Sequence, residues 1–405
     1  MDAGLAQAGF EVVGSVEQDP SARDVLARLR PDWPLLTEPD ACALSEADWR
    51  RHIGRTDIDL LAGGPPCQPF SHAASWARPS SAFDDDRSDT VRAFFRTARW
   101  LMPRALLMES VPGLAMHHMV RLRAFLGAVN RECGTRYTWQ VFHIRSTDWG
   151  VPQARRRAVL VADRDGRNLK VPEPTHAAVP VGAQKRWATA WDALAPLAES
   201  DDVEKLAPSG HWSGLLPSIP EGENYLFHTR RGLGEPLFGW RTRYWAFLLK
   251  LAKNQPSWTL SASPGPAHGP FHWANRRLSE REMAALQTFP LVSSLGVSIH
   301  VAQRLLGNAV PSALGELFGR LIGRQWLDRS WSERLELVPR LREDCPAAVP
   351  AAPVAPRYKA PRKPPADHPG EGRGPGAAAR RKAGARLRRA SGARARRSSN
   401  QPRIS

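Results

Sequence analysis

Cys67 stands in the stretch GGPPCQPFS, residues 63–71, with prolines on both sides. A free thiol titrates near ~8.5, so a nucleophilic cysteine needs a positive or hydrogen-bonding neighbourhood that favours its thiolate. Pro65, Pro66 and Pro69 fix φ around this thiol, and Gly63 and Gly64 permit a sharp exit from the apolar run before it. A rigid turn holding an inert, small apolar side chain would look the same locally. Partners for covalent chemistry recur downstream. Glu109 closes the run ALLMES, Gln153, Arg155 and Arg157 stand in VPQARRRAVL, and Asn308 lies in LLGNAVPSAL. A carboxyl can hold or donate a proton, and a guanidinium can offset charge that a nucleophile pushes onto its target.

These residues need a scaffold, and residues 1 to about 165 alternate helical and strand-like segments in the manner of a βαβ architecture. LAQAGF reads as the end of a helix, EVVGSVEQD as a strand, and SARDVLARLR as a helix with Ser21 as N-cap. IDLLA reads as a short buried strand delivering Cys67 to its carboxyl end, where ligands sit in open α/β sheets. TVRAFFRTARWLM and VRLRAFLGAVNREC have helical periodicity, and ALLMES and RRRAVLVADR read as strands. Residues 170–255, rich in Pro, Gly and Trp, predict loops and short strands. Helical patterns return in LSEREMAALQ and PSALGELFGRLIGRQW.

The net charge of +17 is uneven: residues 346–405 hold fifteen Lys or Arg against Asp367 and Glu371, and so supply +13 of it. That segment has almost no large apolar side chains and predicts a disordered basic tail, either a nonspecific tether to nucleic acid or a solvated appendage. Cys42, Cys67, Cys133 and Cys345 are far apart with no C-x-x-C pair, which supports neither a disulfide framework nor a cysteine-rich zinc site. No signal peptide or apolar run of membrane length is present, so a cytoplasmic, nucleoid-associated protein is expected.

Taken in order, GPPCQPFS, MESVPGL, the Q-x-R-x-R of residues 153–157, RRLSEREMAALQTFP and GNAVP resemble the DNA cytosine-C5 methyltransferase family over roughly residues 1–325. The resemblance implies an α/β, Rossmann-like catalytic sheet and S-adenosyl-L-methionine as methyl donor. It implies that Cys67 adds to carbon 6 of a flipped cytosine in duplex DNA and makes carbon 5 nucleophilic. Glu109 would serve ring N3 and Arg157 the ring O2, with Arg155 beside them. Glu17, Asp40, Pro65 and Asn308 would line the donor site, and Gln68, Ser71 and Gln153 would face DNA. Residues 72–92 would close over the duplex. The chain departs from the family pattern at Ser110, where Asn is usual, at the loosely matching DDDRSDT, and at EPDACAL around Asp40.

The expected organisation is a catalytic lobe at 1–170, a target-recognition domain at 171–262, a returning catalytic segment at 263–335 and the tail at 336–405. HTRRGLGEPLFGWRTRYW places Arg230, Arg231, Arg241 and Arg243 among aromatic residues, suited to base edges or phosphates. The family opens with a strand and an F-x-G-x-G-G loop, whereas MDAGLAQAGF matches the helix after them. A start codon placed too late is the expected reason, and a truncated gene the other. The expected protein is a monomer, in a restriction-modification pair with a cognate endonuclease or in epigenetic marking. Its rivals are a catalytically silent DNA-binding relic and an RNA cytosine methyltransferase.

Overall fold

The computed structural model describes residues 1–54, 57–65, 89–197, 203–241, 244–262, 265–290, 294–330, 334–359 and 367. Its helices are α1 (Asp2–Gln7), α2 (Pro20–Leu29), α3 (Glu46–Ile53), α4 (Asp89–Leu101), α5 (Pro112–Cys133), α6 (Ala190–Leu194), α7 (Glu280–Leu286), α8 (Ile299–Asn308) and α9 (Ser312–Trp326). Its strands are β1 (Leu60–Gly63), β2 (Ala105–Ser110), β3 (Gln140–Arg145), β4 (Gln153–Ala154), β5 (Arg156–Asp163), β6 (His176–Ala177), β7 (Lys185–Arg186) and β8 (Ser257–Trp258).

The main sheet has the order β1-β2-β5-β3, with β1 parallel to β2 and β5 antiparallel to both its neighbours. Every residue of β2 is buried, because helices cover both faces. Period-two alternation sends Leu106 and Met108 of β2 and Leu160 of β5 toward Phe94 and Phe95 of α4 and Leu122 and Leu126 of α5. Leu107, Val159 and Val161 point the other way, toward Leu5 of α1 and Leu317 and Phe318 of α9. This is a three-layer α/β arrangement of the Rossmann-like kind. The α1–α9 contact is backbone-close: a Cβ on Gly315 would stand 2.4 Å from the Met1 carbonyl oxygen.

Three local expectations need correction. EVVGSVEQD forms no strand: its ladder contact is a single parallel bridge, Ser15 to Leu35, and one bridge does not propagate a strand. Asp19, not Ser21, caps α2, accepting the amides of Ser21 and Ala22 at 2.9 and 3.2 Å. Pro20 takes the first helical position, where its missing N–H costs nothing, and the cap therefore stands two residues before Ser21. The strand of IDLLA is half-buried, since it lies at an end of the described sheet. The periodicity of α3 and α8 and the strand β3 add elements the sequence patterns did not mark.

The chain divides into two compact units. Unit 1 is Met1–Pro208, Leu251–Gly265 and Pro270–Ala348; unit 2 is Ser209–Lys250, Pro266–Gly269 and Val349–Ser405. Unit 2 is built on aromatic rings, Trp212, Tyr225 and Phe247 meeting Phe238 at centroid separations of 5.0, 6.0 and 5.5 Å. Of the tail expected to be disordered at 336–405, the described residues instead make specific contacts. In unit 1, the Leu337 amide donates to Glu316 at 3.0 Å, and in unit 2 the Ala352 amide donates to the Pro217 carbonyl at 2.9 Å. Tyr358 stacks on Trp212 at 5.8 Å. Val354 and Tyr358 supply the apolar anchors that the more basic sequence beyond them lacks.

Candidate active site

The strands β1 and β2 end side by side, Gly63 pairing with Met108 one residue before Glu109. Because β5 runs antiparallel to β2, its first residues return to that same end, with Ala158 opposite Ser110. The register therefore brings Arg157 to Glu109: Arg157 Nε lies 2.6 Å from Glu109 Oε1, and the two side chains are only 12 % and 11 % exposed. The contact is ionic, since Oε1 receives no aligned hydrogen bond. Arg157 also donates through Nη1 to the Arg156 carbonyl at 2.7 Å, which fixes the guanidinium. Glu109 Oε2 lies 3.6 Å from where a Cβ would stand on Gly64, so the carboxylate abuts the exit of β1. Ser110, behind it, is 1 % exposed, and its hydroxyl has no hydrogen-bond partner among the described residues.

Arg155 faces elsewhere. It is 3 % exposed, and both its Nη atoms donate to the Gly307 carbonyl at 3.1 Å. Gln287, fully buried, donates through Nε2 to the neighbouring Leu306 carbonyl. The last carbonyls of a helix have no partners within it, and these two side chains supply them at the end of α8. Three motifs far apart in sequence thus converge on one helix terminus. Gly307 must be glycine there: a Cβ would stand 2.7 Å from the backbone N and Cα of Ala262. Asn308 follows with its side chain exposed. The contribution of Gln287 was carried in the sequence by the LQTFP motif, which names no partner.

Gln153 is 0 % exposed, and neither atom of its side-chain amide has a partner among the described residues. Its backbone is fixed on both sides: β4 pairs with β8, and its carbonyl accepts from Ser146 Oγ at 2.5 Å. That same Oγ accepts the Arg155 amide at 2.9 Å, so Ser146 sets the spacing of the whole Q-x-R-x-R segment.

Glu17 and Asp40 are acceptors in preformed turns. Glu17 Oε1 accepts the Asp19 amide at 2.8 Å, and the Gln18 backbone and the Arg23 and Arg304 charges also favour the ionised carboxylate. Burial pushes the Glu17 carboxyl above its ordinary range, a cost that donors from a ligand would relieve. Arg23 braces this turn, donating to the Glu17 carbonyl at 3.2 Å and the Leu36 carbonyl at 3.0 Å. Asp40 Oδ1 accepts the Cys42 amide at 2.8 Å. A nucleoside-bearing methyl donor presents ribose hydroxyls and an exocyclic amine, groups that donate hydrogen bonds, and the largely desolvated Glu17 carboxylate is an acceptor that fits that chemistry.

Pro65 is the last described residue before Cys67. Cys67, Gln68 and Ser71, residues 72–88 of the segment expected to close over the duplex, and Arg243 lie outside the described residues. In unit 2, Arg230 and Arg241 are exposed. Arg231 lies over the Trp240 ring at 4.2 Å. Among the described residues no group of His, Cys, Asp and Glu has the arrangement of a metal site, and no helix is long and apolar enough to cross a membrane.

The profile of the family described as C-5 cytosine-specific DNA methylase matches residues 1–324. The chain is 34 % identical over 314 residues to the Type II methyltransferase M.SacI of Streptomyces achromogenes, covering 70 % of this chain and 78 % of that one. It is 29 % identical over 329 residues to the Type II methyltransferase M1.HphI of Haemophilus parahaemolyticus, covering 79 % and 82 %. Its fold is similar to that of Entamoeba histolytica methyltransferase EhMeth, at 13 % identity and a TM-score of 0.54, over 79 % of this chain and 94 % of that one.

Proposed function

The chain belongs to the C-5 cytosine-specific DNA methylase family and is a DNA cytosine-5 methyltransferase; from that premise we propose the chemistry by which it works. The substrate is a cytosine rotated out of duplex DNA, at a cost of a few kcal/mol that pocket contacts offset. The observation that carries the reading is the largely buried Arg157–Glu109 pair at 2.6 Å, at the end of the sheet from which the chain leads to Cys67. Cys67 is two steps along the chain from Pro65, a reach of at most about 7 Å between Cα atoms.

The Cys67 thiolate forms a bond to carbon 6, and the electrons of the C5–C6 double bond move to carbon 5. Glu109 holds a proton at N3, and Arg157 offsets negative charge at O2. When bound, S-adenosylmethionine supplies an electrophilic methyl group. Once carbon 5 carries the methyl, its proton passes to solvent, the C5–H electron pair re-forms the C5–C6 double bond, and the Cys67 thiolate leaves carbon 6, which restores the aromatic ring. Glu17, Asp40, Pro65 and Asn308 hold the donor. Arg155 acts with them as a positioning residue, through Gly307 beside Asn308.

The Ser209–Lys250 segment of unit 2, which carries Arg230, Arg241 and Arg243, falls within the target-recognition domain proposed at 171–262, and Gln68, Ser71 and Gln153 serve the DNA side of the site. The basic tail holds DNA nonspecifically through its phosphates. The Type II names of the relatives favour a restriction-modification role beside a cognate endonuclease, with the enzyme acting as a monomer in the cytoplasm. The test is transfer of labelled methyl from S-adenosylmethionine to duplex DNA by the wild type and by Cys67→Ser. Incorporation lost in Cys67→Ser supports the covalent route; equal incorporation by both sinks it.

A further inference from the structure

The loop after Tyr225–His228 in unit 2, residues 229–238, is pinned along its length. His228, 1 % exposed, is its hub: Nδ1 bonds to the Glu235 carbonyl at 3.0 Å and Nε2 to Ser218 Oγ at 2.9 Å. The His228 carbonyl accepts the amides of Leu237 and Phe238, both at 2.9 Å. The amides of Gly232 and Gly234 donate to Thr229 and Phe227 at 3.1 and 2.9 Å. Both glycines are pressed against the preceding turn. A Cβ on Gly232 would stand 2.3 Å from the Leu226 carbonyl oxygen, and one on Gly234 would stand 2.5 Å from the Phe227 ring.

Between them Leu233 is 97 % exposed, although its unit has an aromatic core. The pinned backbone keeps it from folding inward. Just before it in the chain, Arg230 and Arg231 are exposed cations, with Arg231 lying over the Trp240 ring, and both are suited to hold phosphates beside an apolar tip. A loop fixed in advance loses little conformational entropy on binding, so an apolar contact made there is retained in the affinity. The apolar group on a base edge is the C5-methyl of a pyrimidine, and it lies in the major groove, which is wide enough to admit such a loop.

We infer that Leu233 is a specificity residue that reads a pyrimidine C5-methyl group in the recognised sequence. The inference rests on the duplex-DNA reading above. The methyl belongs either to thymine or to a 5-methylcytosine already present on the opposite strand, and two arms of one experiment separate these sources. In the first, initial methylation rates are compared on one long duplex amplified with dTTP or with dUTP. In the second, they are compared on unmodified duplex and on hemimethylated duplex made by reannealing modified with unmodified strands. Burying one methyl corresponds to about a fourfold change. A thymine contact predicts about fourfold slower modification of the uracil duplex; a 5-methylcytosine contact predicts about fourfold faster modification of the hemimethylated one. In Leu233→Ala that difference disappears. Equal wild-type rates in both arms, or a difference that survives in Leu233→Ala, overturn the inference while leaving the enzyme reading standing. Absence of methylation on every duplex overturns the enzyme reading and this inference with it.

Discussion

Both terminal nitrogens of Arg155 converge on the carbonyl of Gly307, at 3.1 Å each, tying the start of β5 to the last turn of α8. The fork geometry of a guanidinium makes this possible, and a lysine offers only one point charge on a flexible stem. Arg155→Lys should therefore raise KM for S-adenosylmethionine about tenfold while kcat falls less, because Asn308 shifts but Cys67 and Glu109 do not. Steady-state kinetics with varied donor concentration check it. A fall in kcat alone would instead place Arg155 at the reacting base.

The Glu109–Arg157 pair predicts an asymmetry between single and paired substitutions. Removing one partner leaves the other charge nearly buried and alone, a loss on the order of 3 kcal/mol. Arg157→Met should lower the unfolding midpoint, and Arg157→Met with Glu109→Gln should recover most of that loss. Both variants should methylate at least a hundredfold more slowly than wild type. Denaturant titration beside single-turnover methylation reads both effects.

Gly307→Ala tests the close approach to Ala262. The added carbon meets backbone rather than a movable side chain, so a cost of about 1–3 kcal/mol is expected. Thermal unfolding should show a lower midpoint, with weaker S-adenosylmethionine binding by equilibrium dialysis.

Donor binding should also depend on pH through Glu17. Its carboxyl is raised by burial, so it takes up a proton at higher pH than a solvated glutamate and then loses an acceptor. Affinity for S-adenosylmethionine should weaken as pH falls into that raised range. In Glu17→Gln affinity should be lower throughout, with that part of the pH dependence absent. A wild-type profile that matches the variant's would remove Glu17 from the donor site.

A second pH effect is structural. Burial, aided by Lys185 and Arg186, pushes the His176 imidazole down from its ordinary 6.5 to about 4. Between those values the unfolded chain binds a proton that the folded chain refuses. This contribution to stability is therefore intact above pH 6.5, declines as pH falls, and levels off below about 4. Urea unfolding at pH 7 and pH 5 should show a smaller drop in His176→Gln than in the wild type.

The sequence by itself determined the parts that local chemistry controls. The apolar runs of ALLMES and RRRAVLVADR are β2 and β5, because a strand covered on both faces reads as a continuous apolar segment. Glu109 at a strand end, the prolines around Cys67 and the basic tail were legible for the same reason: each is a property of neighbours in the chain. The failed strand of EVVGSVEQD marks the limit, since strand propensity has effect only where a ladder partner exists. Tertiary structure alone decided the pairings. The antiparallel register of β5 against β2 chose Arg157 for Glu109, while Arg155, two residues earlier, was turned to Gly307. It also fixed Leu233 outward, by packing two glycines against a turn that nothing in RRGLGEP specifies. Local sequence sets which groups a segment carries, but register and close packing, which depend on distant residues, set which groups meet.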